Sequence, residues 1–343
     1  MPVSRRGFAL SASAAALGAC ARETAARAHV NVYSARHYDA DRALFAAFEQ
    51  ASGVSVRVLP ANSEQLLERL RAEGEATEAD LIVAADAGNL WRLQQADLLQ
   101  SVITPELEAL VPAHLHDPDG YWWGFSKRAR VLVYRKATVD PATLTSMDDL
   151  AAPRFRGQIC ARSSTNIYNL SMLAARIERL GRSNARAWAA SVRANFARDP
   201  RGADTDQIKA VAAGECQVAI VNHYYLLRLA KSEDPADRAA ADAVGIVFPD
   251  QAGAGTHVNI SGAGVSAYAK RKDRAVELLE FLVSDAGQRI LAPLNNEFPI
   301  RPEIAPDPAL AALGAFKEED IPIAALGRRQ PEAAAIFDEA GWR

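Results

Sequence analysis

The pattern of apolar and polar positions reads as strands and helices in alternation. From residue 29 the chain runs HVNVYSA, a short apolar strand, then ADRALFAAFEQASG, whose apolar residues recur at helical spacing and stop at Gly53. VSVRVLPA alternates as a second strand, and SEQLLERLRAEG predicts a helix capped by Ser63 and closed at Gly74. ADLIVAAD is apolar throughout, as in a strand buried on both faces, and AGNLWRLQQADLL returns to helical spacing. Such alternation predicts an α/β unit with a largely parallel sheet, and its ligands are expected in loops at the C-terminal ends of strands.

The pattern then repeats. RVLVYR reads as a strand where the chain leaves the first unit, QICAR as another, and SSTNIYNLSMLAARIERLG as a loop feeding a helix. SNARAWAASVRANF and TDQIKAVAAGE are helical, and CQVAIVNHYYLLRLAKS is a strand running into a helix. Two extended segments with glycine-rich turns follow in VGIVFPDQAGAGTHVNISGAGVSAYA, and the C-terminal helices are expected to cover the first unit. The layout predicts two α/β lobes around a ligand cleft, with residues 29–130 and 246–343 in lobe one and 131–245 in lobe two.

Composition adds exclusions. A net charge of -3 with 24% charged residues gives no reason to expect a nucleic-acid partner. No GxSxG, HExxH or dinucleotide glycine loop supports an enzyme. Residues 1–28 have the form of an export signal: Arg5 and Arg6 precede an apolar run from Phe8 to Ala19. SRRGFA resembles a twin-arginine signal, and LGAC resembles a lipoprotein box that would place a lipid on Cys20. The alternative is cleavage near Ala25 to Ala28 and a soluble periplasmic protein. Cys160 and Cys216 then remain, and an oxidising compartment permits a bond between them, with two separate buried thiols as the other outcome.

The candidate chemistry lies in tyrosines. Of eight, Tyr38, Tyr168, Tyr224 and Tyr225 fall in strand-to-helix loops or at helix starts, the first from lobe one and the others from lobe two. Ionised phenols are hard oxygen anions, which suit a hard trivalent cation such as Fe³⁺. Zinc would draw thiolates and imidazoles, and calcium carboxylates and carbonyls. Four tyrosinates against Fe³⁺ leave one excess negative charge, for which Arg36, Arg128 and Arg130 are candidate counter-charges. The competing readings are an aromatic cleft for a small organic solute such as a polyamine, and ordinary core tyrosines.

SARHYDAD, WWGFSKRARVLVY, RGQICARSSTNIYNLSMLA, GECQVAIVNHYYLLRL and NISGAGVSAYAK together resemble the ferric-iron-binding substrate-binding proteins of ABC importers, in particular the tyrosine-rich branch that includes cyanobacterial iron-binding proteins. The resemblance runs from about residue 30 to 340. It implies two lobes joined by two crossing hinge strands, no catalytic residues, and a monomer that hands Fe³⁺ to an inner-membrane permease and its ATPase. It also implies a ligand set of Tyr38, Tyr168, Tyr224 and Tyr225, with His37 as a fifth donor and Arg36, Arg128 and Arg130 balancing charge. Sequence does not choose between Fe³⁺ and Fe²⁺ as the ion first bound. His223 adjoins the tyrosine pair but has no ligand role in the family.

Overall fold

A computed structural model of the chain describes residues 28–36 and 39–343. The export signal, Cys20 and the pair His37 and Tyr38 lie outside the described residues. The first unit opens with β1 (His29–Ser34), α1 (Asp39–Ser52), β2 (Ser55–Pro60), α2 (Ser63–Glu73), β3 (Leu81–Ala85), α3 (Ala87–Gln95) and α4 (Pro105–Leu110). The long strand β4 (Trp123–Arg135) leads into β5 (Ile159–Cys160), α5 (Ile167–Leu180), α6 (Arg182–Ala194), α7 (Asp204–Ala213), β6 (Val218–Asn222), α8 (Tyr224–Ala230), α9 (Pro235–Ala243) and β7 (Val244–Val247). The chain returns through β8 (Val258–Val265), α10 (Lys272–Val283), α11 (Asp285–Asn295) and β9 (Phe298–Pro299), and ends in α12 (Pro308–Ala311), α13 (Ala324–Arg328) and α14 (Gln330–Ala340).

β4 joins the two lobes. Residues 123–129 pair antiparallel with β8, and residues 130–135 pair antiparallel with β6 and β7. The change of partner falls between Ala129, opposite Val258, and Arg130, opposite Asn222. The second crossing is the return from β7 to β8. The main path of strands is β2-β1-β3-β8-β4-β6-β5. β1 runs parallel to β2 and β3, and β5 to β6, but β8 and β4 are antiparallel to their neighbours. The sheet is therefore mixed rather than largely parallel, because the crossing strands each run against the strands they join.

Burial follows strand period. In β6, Val218 and Ile220 enter one core of the second lobe, while Ala219 and Val221 enter the core on the opposite face. Leu132 of β4 joins the first of these cores, and Ala129, Val131 and Val133 the second. Lobe one has a single large core around β1, β3 and β8, with Phe48 and Phe281 in edge-to-face contact at 5.5 Å. Among the described residues no helix is long and apolar enough to cross a membrane.

Two local expectations change and one open alternative closes. The cap of α2 is Asn62, one residue earlier than Ser63: its side chain accepts from the Gln65 amide, and Gln65 returns a bond to the Asn62 amide. Cys160 and Cys216 form a disulfide between the end of β5 and the turn before β6. The C-terminal helix does not cover lobe one. Ala333, Ile336, Phe337 and Trp342 are buried in the core of the second lobe, where Trp342 packs on Phe196 at 4.7 Å and on Phe337 at 4.7 Å. The alanine-rich face of α14 is small enough to lie flat on α5 and α6, and the tryptophan after it fills the gap beside Phe196.

Candidate metal centre

Three of the four expected tyrosines are described, and all three stand in the first turn of a helix. Asn166 caps α5 by accepting from the Tyr168 amide, which fixes Tyr168 as the second residue of that helix. β6 ends at Asn222, His223 turns into helical conformation at once, and Tyr224 and Tyr225 open α8. The adjacent phenols do not point apart. Their rings stack at 4.3 Å with 30° between planes. Tyr224 is buried and Tyr225 half-buried, and the Tyr224 hydroxyl meets the Tyr168 hydroxyl at 3.4 Å. Two helices from the same lobe thus bring three phenols together, and the N-terminal end of α5 favours negative charge there.

Cations surround the phenols. Arg128 and Arg130, two residues apart on β4, share a face. Their guanidinium carbons lie 5.2 and 5.9 Å from the Tyr168 ring centre, and that of Arg162 lies at 5.6 Å. Arg228, one helical turn beyond Tyr224, lies 4.8 Å from the Tyr224 ring and 5.6 Å from Tyr225. Burial works against the charge of Arg128, but Tyr168, Glu297, Asp86 and Tyr224 together hold its pKa above the ordinary arginine value. The charge therefore persists beside the phenols, where it favours phenolate.

The three expected counter-charges differ in how far they are already matched. Arg130 donates to Asp204 at 2.8 Å and to Asn169 at 2.7 Å, and Arg128 reaches Ser261 at 3.2 Å and Asp86 at 3.7 Å. Arg36 is shared between Asp41 and Glu297, each at 3.0 Å, and also donates to Ser126. Asp41, in the first turn of α1, is thus a partner of Arg36, and Asp39 is the first residue of that helix. Glu297 is fully buried. Burial opposes its charge, yet Arg36 and Arg128, with the Ser126 hydroxyl, hold its carboxyl below the usual range.

His223 is no ligand. Its Nδ1 accepts from the Ala129 amide at 3.1 Å, so Nε2 carries the proton and donates to the Asn296 carbonyl at 2.9 Å. Burial lowers its pKa to about 4, which keeps the ring neutral. Among the described residues no cluster of three or more His, Cys, Asp or Glu could hold a metal, so a metal here would depend on phenols. Arg162, Arg228, Asp204, Asp86 and Glu297 escaped the sequence reading. Only Arg228 carried a usable signal, its four-residue spacing from Tyr224 on one helix face.

The lobes touch close to this site. Asp86, at a positive φ of 86°, caps α3 and accepts from Ser171 of α5 at 2.6 Å and from Asn259 at 2.8 Å. Gln330, at the start of α14, donates to Ser171 at 3.0 Å. Beside this contact lies a cavity of about 510 Å³, with Ser63 and Arg92 on one side, Ser164 and Leu170 on the other, and Pro331 at its edge.

Residues 43–318 match the model of the bacterial extracellular solute-binding protein family, and the chain belongs to that family. It is a two-lobed α/β binding protein of an ABC-type transport system, working outside the cytoplasm, and not an enzyme. Iron uptake protein A2 of Synechocystis is 44% identical over 324 residues, covering 94% of this chain and 92% of that protein. A solved Trichodesmium structure, IdiA or FutA in complex with iron and citrate ligands, superimposes with a TM-score of 0.90 at 43% identity, covering 92% of this chain and all of that one. Apo FutA2 from Synechocystis superimposes at 0.88 with 44% identity over 92% of this chain and all of its own.

Proposed function

We propose that the protein captures Fe³⁺ between its lobes and delivers it to an ABC permease. The observation that carries this reading is the meeting of the Tyr168 and Tyr224 hydroxyls at 3.4 Å, with Tyr225 stacked alongside and Arg128 buried behind. Phenolates repel one another unless a cation lies between them, and a trivalent ion both pulls the protons off and holds the oxygens together. The similarity to iron uptake protein A2 and to the iron-bound Trichodesmium structure supports the same cargo.

Tyr168, Tyr224 and Tyr225 wait on lobe two, and iron binds there first. Closure of lobe one brings Tyr38, with His37 as a fifth donor, so the metal itself clamps the lobes. Arg128, Arg130, Arg162 and Arg228 offset the phenolate charge without occupying the metal. Release follows when the permease opens the cleft, when a phenolate is protonated, or when the ion is reduced and holds its oxygens less tightly. Arg5 and Arg6 support export by the twin-arginine route, and the intact mass of the exported protein decides whether Cys20 carries lipid.

Ferric phenolate absorbs visible light by charge transfer, so the colourless apoprotein turns orange to red on addition of Fe³⁺. Tyr224→Phe and Tyr225→Phe each weaken iron by more than about a hundredfold, since even an outer partner of a metal ligand is worth roughly 10–100-fold. Competition with citrate measures the loss, and circular dichroism checks the fold. Full affinity in both variants refutes the site.

A further inference from the structure

His223 uses both ring nitrogens on backbone groups that belong to different parts of the molecule. Ala129, which donates to Nδ1 and whose carbonyl accepts from the His223 amide at 3.1 Å, is the last residue of β4 paired with β8. Asn296, whose carbonyl accepts from Nε2, closes α11 in left-handed conformation with φ 55°. The ring also packs edge-on against Tyr224 at 5.9 Å and lies over Phe298 at 4.7 Å. The residue after Asn296 is Glu297, the buried carboxylate that holds Arg36. Arg36 in turn immediately precedes His37 and Tyr38.

A continuous set of contacts therefore runs from the phenols of lobe two to the end of β1 in lobe one: Tyr224, His223, the Asn296–Glu297 turn, Arg36. We infer that His223 is a positioning residue for iron, tying the Tyr224–Tyr225 pair to the anchor of the opposite ligand loop at the point where β4 changes lobes. The inference rests on the iron reading above. Its content is that the Nε2 bond to Asn296 sets how the two halves of the site meet, beyond any part it plays in folding. A hydroxyl-bearing or apolar side chain cannot reproduce this, because the position demands an acceptor toward Ala129 and a donor toward Asn296 at opposite ends of one rigid ring.

Two amides separate the bonds. His223→Asn reaches only as far as Nδ1, so it retains an acceptor for Ala129 and loses the bond to Asn296. His223→Gln places an amide N–H near Nε2 and keeps the bond to Asn296, while His223→Phe loses both. Each full-length variant is titrated with Fe³⁺ against citrate while the charge-transfer band is recorded, and apo stability is measured in parallel. The expected result is about tenfold weaker iron binding and a shifted band in His223→Asn and His223→Phe, with affinity and band restored toward wild type in His223→Gln. If His223→Phe does not fold, the contrast between the two amides decides. Equal affinity and identical bands in His223→Asn and His223→Gln overturn the inference, even if both are less stable. A wild-type protein that develops no band with Fe³⁺ overturns the iron reading and this inference with it; a normal wild-type band with indistinguishable variants overturns the inference alone.

Discussion

Replacing Arg130 by methionine tests its structural role in the apoprotein. The side chain is 2% exposed and its partner Asp204 is fully buried. Asp204 keeps an amide donor from Asn222 at 2.8 Å and a long contact with Arg162 at 3.4 Å when Arg130 is removed. Breaking a buried pair by deleting one member costs about 3–5 kcal/mol, and these remaining partners place the loss near the lower end, about 3 kcal/mol. With a urea slope of about 3 kcal/mol per M for a chain of this size, the midpoint falls by about 1 M. Urea unfolding of the apoprotein followed by tryptophan fluorescence reads this directly. The double variant Arg130→Met with Asp204→Asn removes the stranded charge, so it is expected to be more stable than Arg130→Met alone. A loss below about 0.5 kcal/mol, or strictly additive effects, refutes the assignment of Arg130 to the Asp204 pair.

Replacing Cys160 and Cys216 together by alanine is expected to cost about 4 kcal/mol in urea unfolding, from the entropy of a loop whose ends are 56 residues apart, and an unchanged midpoint counts against it. Glu297 has a pKa below its unfolded value, so its contribution is present above the ordinary carboxylate pKa of about 4.3 and is lost as pH falls through the folded value. Apo stability measured downward from pH 6 therefore drops more steeply below about pH 4 in wild type than in Glu297→Gln, and equal slopes refute the link. A Cβ on Gly88 would sit 1.7 Å from the Gln330 amide, so Gly88→Ala pushes Gln330 off Ser171 and is expected to lower stability by about 1–3 kcal/mol; a neutral result shows that the contact is slack.

Local order was legible where pattern and punctuation agreed. HVNVYSA, VSVRVLPA and ADLIVAAD are strands because alternation or continuous apolarity admits little else, and Gly53 and Gly214 end their helices at positive φ. The tyrosines at helix starts were equally visible, since a strand-to-helix loop is recognisable without knowing what it faces. Long-range pairing was not. Nothing in SKRAR states that Arg128 meets Asp86 or that Arg130 meets Asp204, 74 residues away. RVLVYR showed only the apolar end of β4, because its other half is buried with charges that look solvent-facing in isolation. The disulfide and the docking of α14 on lobe two were hidden for the same reason: each depends on where two distant segments come to rest.

The place of β8 in the sheet has a consequence for biosynthesis. This strand lies between β3 and β4, yet its residues, 258–265, are made after every strand of the second lobe. Until they emerge from the ribosome, the nascent chain carries two unpaired strand edges with an apolar gap between them, the kind of surface that chaperones bind and that aggregates when left uncovered. A fragment ending before this strand is therefore expected to stay unfolded.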